Sequence, residues 1–122
     1  MKAFLRSRND FQVVYRKGRR FEGLLMTAFV LPNGLSHHRL GVTASRKALG
    51  KAVQRNRAKR LLRETFRLND SSLGELKSNY DWVLNAKRAL PNDKIDLALE
   101  EFERVVASVA TEETRMVGSI VA

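Results

Sequence analysis

Ala52-Val53-Gln54-Arg55-Asn56-Arg57-Ala58-Lys59-Arg60-Leu61-Leu62-Arg63-Glu64-Thr65-Phe66-Arg67-Leu68 contains neither glycine nor proline. Its composition predicts a helix over 52–68, broken by Asp70-Ser71-Ser72 and Gly74. Before it, Leu40-Gly41-Val42-Thr43-Ala44-Ser45 reads as a strand; after it, Tyr80 to Ala86 is a short apolar run, read as a buried strand with Trp82 in the core. A second apolar stretch, Leu24 to Leu31, ends at the turn signal Pro32-Asn33-Gly34, so an antiparallel connection through 32–38 is expected between the two early strands. Toward the N-terminus, Ser7 followed by Asp10 marks a helix start, Phe11, Val14 and Tyr15 recur at helical spacing, and Gly18 ends it. Toward the C-terminus, Pro91-Asn92-Asp93 opens a last helix with Asp96 in its first turn. Ile95, Ala98, Leu99, Phe102, Val105, Val106 and Val109 form its apolar stripe, and the tail from Thr111 has no readable period. The order is helix, two or three strands, helix, strand, helix, so the fold class is α+β, α-β-β-β-α-β-α with the third strand counted, in a single domain over 1–110 with a C-terminal tail over 111–122.

Composition narrows the function. The chain has 122 residues, 43% of them hydrophobic, so one domain with its own core fits and general disorder does not. It has no cysteine, which excludes thiolate chemistry and disulfides and fits a reducing compartment. No apolar run reaches the ~20 residues of a membrane span, so a soluble cytoplasmic protein with no membrane partner is expected. Oligomeric state is left open.

Charge is the strongest signal. Residues 1–63 hold sixteen basic and two acidic residues, and residues 64–122 hold seven basic and eleven acidic. Between Glu22 and Glu64 there is no carboxylate at all. At about 100° per residue, Gln54, Ala58, Leu61, Leu62, Thr65 and Phe66 share one side of the central helix. Arg55, Arg57, Lys59, Arg60 and Arg63 sweep most of the rest, with Arg46, Lys47 and Lys51 extending the patch upstream. Like charges at i,i+4 cost about 0.2–0.5 kcal/mol a pair in an isolated helix. With only Glu64 for local relief, an external polyanion resolves the repulsion, and the predominance of arginine favours phosphate gripped by planar guanidinium forks.

Other residues read more simply. His37-His38 is expected as a solvated loop pair. Asp93, Asp96, Glu100, Glu101 and Glu103 are expected as helix-start charge and solvent face rather than a metal site. Asn56 either contacts RNA or caps local backbone, and Phe11, Tyr15 and Phe29 are either core or an aromatic platform. With no cysteine and two carboxylates in the basic half, no catalytic constellation emerges for the polypeptide itself.

The decamer Arg55 to Glu64, with Gly50 and Val53 ahead of it, resembles the Arg-Asn-Arg signature of the bacterial ribonuclease P protein family. Asp10-Phe11-Gln12 with Val14, Tyr15 and Gly18, then Arg39 to Val42 before Ser45-Arg46-Lys47, and Asp81 to Leu84 followed by Ala86-Lys87, are similar in order and spacing. The likeness spans about Phe4 to Val109. It implies a ribosomal protein S5 domain 2-like sandwich with a left-handed βαβ crossover. It also implies a protein that assists a catalytic RNA in removing the 5′ leader of precursor tRNA, with Mg²⁺ held mainly by that RNA and none by the protein alone. By matching position, Arg46, Lys51, Arg55, Asn56, Arg57, Lys59, Arg60 and Arg63 face the RNA subunit, and Phe11, Tyr15, Phe29, Ser45 and Lys47 belong to a cleft for the single-stranded leader. Two departures stand out: Asn85 where the matching strand is usually apolar, which requires a hydrogen-bond partner or an outward orientation, and a tail that is not basic. Two rival classes are a general RNA-binding module and a protein nuclease acting alone.

Overall fold

In the computed structural model, which describes residues 3–92 and 95–121, Ser7 caps helix α1 (Arg8–Lys17) by accepting a bond from the Asp10 N–H at 3.0 Å. A two-residue strand β1 (Ala3–Phe4) precedes it, and β2 (Arg19–Glu22) follows directly. Strands β3 (Met26–Pro32), β4 (Arg39–Thr43) and β5 (Tyr80–Ala86) complete a five-stranded sheet in the order β1-β4-β5-β3-β2. Ser45 caps a short helix α2 (Arg46–Leu49) through a bond from the Ala48 N–H, and Gly50 then turns the chain with φ 74°, a left-handed conformation that favours glycine. The central helix α3 spans Ala52–Leu68, α4 spans Asp70–Gly74, a 3₁₀ turn covers Leu90–Asn92, and α5 runs Ile95–Val121.

The sheet separates two cores because alternate residues of β5 face opposite ways. Trp82 and Leu84 join Ala58, Leu62 and Phe66 of α3 and Ala98, Phe102 and Val106 of α5, all buried. Trp82 lies at the centre, 5.4 Å from Phe102 and 6.2 Å from Phe66 between ring centroids. On the other face, Val83 packs with Leu5 and Val14 beneath α1, with Phe11, Phe29 and Leu31 around them. Buried Asp81 ties the two central strands together, accepting both forks of Arg39 of β4 at 2.8 and 2.6 Å.

Several expectations are corrected. The 26–32 and 39–43 strands are not neighbours; β5 inserts between them, antiparallel to β3 and parallel to β4. Burial on both faces suits the apolar 80–86 run to that central place better than either early strand. The strands β1 and β2 and the short helices α2 and α4 were not located from sequence. Gln54 is exposed, so the packed side of α3 begins at Ala58. The last helix starts at Ile95, and Asp93, read as part of its opening, lies outside the described residues. That helix does not stop near residue 110: Glu112 pairs with Arg19 at 2.5 Å, and Glu113 accepts from the N–H groups of Lys77 and Ser78. Polar anchoring continues α5 where apolar periodicity ends.

Candidate nucleic-acid interface

Helix α3 carries its cations where packing leaves them outside. Ala58, Leu62, Thr65 and Phe66 are buried against the sheet and α5, so Asn56, Arg57, Arg60 and Arg63 are exposed and Arg55 and Lys59 half-buried. Arg55 is partly engaged, its Nη1 donating to the Gly50 carbonyl at 2.8 Å. The helix's one acid, Glu64, is gripped by Arg67, one turn away from the cation run. Among the described residues no ion pair joins Arg46, Lys47, Lys51, Arg55, Arg57, Lys59, Arg60 or Arg63 to a carboxylate. Arg46, Lys47 and Lys51, all exposed, lie just ahead of it around α2.

On the opposite face of the sheet, beside α1, lies a partly exposed aromatic group. Tyr15 is 38% exposed and meets Phe29 of β3 edge-on, with centroids 4.8 Å apart and planes at 87°. Its hydroxyl donates to Asn85 Oδ1 of β5 at 2.9 Å, which also accepts from Thr43 of β4 at 2.5 Å. Phe11 is half-buried over Gly41; a Cβ there would stand 2.6 Å from the Phe11 ring, so only glycine admits it. Arg20 lies over Phe29, 6.0 Å from its centroid. Glu22 is bound by Arg20 and Lys87, and the Lys87 bond, with further attraction from both cations, holds its carboxyl below the usual value despite opposing desolvation. Of the residues read as leader-binding, Tyr15 is the exposed aromatic, Phe11 and Phe29 are its half-buried supports, and Ser45 and Lys47 lie beyond the end of β4.

The two surfaces meet at the edge of the sheet. Among the described residues β1 pairs with β4 at Arg39 and Leu40, and beside them a cavity of about 260 Å³ is lined by Phe4, Phe11, Gly41, Val42 and Arg63. This cavity brings Arg63 of α3 and Phe11 of α1 to one place at the sheet edge. Such a surface suits phosphate gripping on one side and base stacking on the other.

Two readings of individual residues fail here. His38 is not a solvated loop residue: its Nδ1 accepts from the Tyr80 N–H and from Trp82 Nε1, and its Nε2 faces the Leu73 carbonyl, whereas His37 is exposed. Glu101 is not on the solvent face. It is buried and accepts bonds from the N–H groups of Leu24, Leu25 and Met26, holding the β2–β3 turn against α5. Sequence reasoning also missed Gly41, Thr43 and Arg20 as contacts of Phe11, Asn85 and Phe29. The unexpected polarity of Asn85 in an apolar strand was the available signal. Among the described residues no group of His, Asp or Glu converges as a metal site requires, and no described helix is long and apolar enough to cross a membrane.

The family model described as Ribonuclease P matches residues 1–110. The ribonuclease P protein component of Alkaliphilus oremlandii is 37% identical over 102 residues, covering 84% of this chain and 82% of its own. That of Alkaliphilus metalliredigens is 39% identical over 90 residues, covering 74% of this chain and 75% of its own. Among solved structures, the RNase P protein of Staphylococcus aureus superposes with a TM-score of 0.71 at 28% identity, covering 85% of this chain and 92% of that one. The protein of Thermotoga maritima gives a TM-score of 0.71 at 27% identity, covering 84% and 93%.

Proposed function

The chain belongs to the bacterial ribonuclease P protein family, and from that premise we propose that it serves as the protein subunit of a ribonucleoprotein endonuclease that removes the 5′ leader from precursor tRNA. The observation that carries this reading is the placement, on two faces of one sheet, of a helix whose cations from Arg55 to Arg63 pair with no carboxylate among the described residues and of a partly exposed aromatic group, with a cavity between Arg63 and Phe11 at the sheet edge. In this reading the exposed cations of α3, with Arg46 and Lys51, hold the phosphates of the catalytic RNA. Tyr15, supported by Phe11 and Phe29 and flanked by Ser45 and Lys47, receives the single-stranded leader. Stacking is tolerant of sequence, which suits leaders that differ between precursors.

Hydrolysis is assigned to the RNA subunit and its Mg²⁺. Among the described residues no His, Asp or Glu side chains gather as a metal centre requires, and no chemical step is routed through the protein. What the protein contributes is binding energy: it screens repulsion between two RNAs and aligns the leader. The reading extends to the finer fold, a ribosomal protein S5 domain 2-like arrangement with a left-handed crossover, supported by the parallel pairing of β4 and β5 around α3.

The test adds purified protein to precursor tRNA with and without the catalytic RNA. Cleavage is expected only with the RNA, and the assembled complex is expected to hold leader-bearing precursor better than mature tRNA. Cleavage by protein alone would establish a nuclease instead, and equal affinity for both tRNAs a general RNA-binding module.

A further inference from the structure

Beside the aromatic group stands a polar side chain that stacking alone does not require. Asn85 sits on β5 between its cross-strand partners Thr27 of β3 and Thr43 of β4, on the α1 side of the sheet. Its Oδ1 accepts from two hydroxyls, Tyr15 at 2.9 Å and Thr43 at 2.5 Å. The shorter contact matches an O–H···O bond and is too short for N–H···O, which orients the amide with its oxygen toward the hydroxyls. Both lone pairs of that oxygen are then used. The two N–H donors of Nδ2 remain, and among the described residues no acceptor meets them. Asn85 is half-buried beside the exposed Tyr15, which places its amide next to the aromatic surface.

Phosphates are drawn to nearby cations such as Arg20, which lies over Phe29. A base laid against the exposed Tyr15 ring turns its edge toward the sheet, where a group that can only donate is waiting. We propose that Asn85 is a specificity-determining residue of this surface, donating from Nδ2 to the carbonyl edge of guanine or uracil in a leader nucleotide stacked on Tyr15. At the exocyclic position where guanine O6 or uracil O4 accepts, adenine and cytosine carry an amino group, which sets donor against donor there. The inference rests on the proposed leader-binding role of this surface.

The experiment uses the assembled holoenzyme and precursor tRNAs whose leaders differ only in uracil against cytosine, or guanine against adenine, scanned position by position. At one leader position the wild type is expected to favour the carbonyl-bearing base by about 2- to 12-fold, the worth of one net hydrogen bond. Asn85→Asp keeps the shape and still accepts from both hydroxyls, but presents an acceptor in place of Nδ2; the preference should vanish or invert. Because the ratio is taken within each variant, the added negative charge cancels. Asn85→Leu should erase the preference without inverting it. A preference unchanged in Asn85→Asp, or absent from the wild type at every position, overturns the inference. If leader-bearing precursor is still held better than mature tRNA in that case, the proposed function survives. If the wild type holds both equally, that function fails and this inference with it.

Discussion

Tyr15 uses its two ends differently. The ring stands edge-on to Phe29 with its face partly open, while the hydroxyl is fixed on Asn85. Anchoring the hydroxyl removes rotational freedom that a binding base would otherwise have to freeze. Stacking on an aromatic platform is worth about 1–3 kcal/mol per base. Tyr15→Ala should therefore weaken binding of leader-bearing precursor to the holoenzyme by about 5- to 150-fold, with little change in affinity for the RNA subunit. Separate titrations of the two RNAs check this, and the reverse order of effects would remove Tyr15 from the leader-binding surface. His38 teaches a second lesson at this scale. It and His37 share the same local sequence, yet only His38 is locked, by groups 35 to 44 residues away in the chain. No local pattern announces such partners, which is why the pair read as solvated. Since Nδ1 accepts two N–H bonds, the proton resides on Nε2, which donates to the Leu73 carbonyl at 3.1 Å. His38→Ala leaves the Trp82 and Tyr80 N–H groups without their acceptor and should cost about 2–4 kcal/mol, measured by urea unfolding.

At the scale of elements, α3 was legible because its signals are local. A run without helix breakers set its limits, and the apolar positions 58, 62, 65 and 66 set the buried face, which in turn dictates which cations are outside. The sheet order was not legible, because inserting β5 between β3 and β4 depends on pairings between residues far apart in sequence. Exposed Arg57, Arg60 and Arg63 serve phosphate binding in this reading, whereas Arg55 also bonds Gly50 and supports the start of its own helix. Changing Arg57, Arg60 and Arg63 together to Ala should weaken RNA-subunit binding and reduce the slope of log affinity against log salt by about 2–3. Circular dichroism should be unchanged and thermal stability no lower, because the substitutions relieve like-charge repulsion. Unfolding of the triple variant would make these arginines structural. Glu101 gives the opposite case, an acid whose role is internal. Glu101→Ala removes the acceptor of three backbone N–H groups in the β2–β3 turn and should cost about 2–4 kcal/mol. Hydrogen exchange at Leu24, Leu25 and Met26 should accelerate before exchange in β5 does.

Across the whole molecule, acid and base are segregated by task. The basic half supplies the exposed surface of α3, while several acids of the other half secure the scaffold: Asp81 joins β4 to β5, Glu101 holds the β2–β3 turn, and Glu113 fastens the second half of α5 to the segment before β5. Much of that division was visible as a charge asymmetry, but not the internal use of the acids, since a carboxylate facing backbone N–H groups looks in sequence like any solvent-facing one. Glu113 shows the consequence for the chain's end. Its carboxyl accepts from the Lys77 and Ser78 N–H groups and the Tyr80 hydroxyl. Desolvation opposes its charge, but these bonds outweigh it and hold the group below its ordinary value of 4.5, while burial and then Glu113 push the Tyr80 hydroxyl up. A carboxylate depressed in the folded state contributes stability that is fully present above the unfolded value and is lost as pH falls through the folded one. Stability should therefore decline below about pH 4.5, and Glu113→Gln should flatten that decline while lowering stability at neutral pH. Ending the chain after Ala110 removes Glu112 and Glu113 together and should cost about 2–4 kcal/mol at pH 7, although the apolar stripe through Val109 remains. Urea unfolding from pH 3 to 7 on the full chain, the Gln variant and the shortened chain checks both statements. Equal stability of the shortened chain at pH 7 would show that packing alone holds α5, and that the carboxylate contacts beyond Ala110 contribute nothing to the fold.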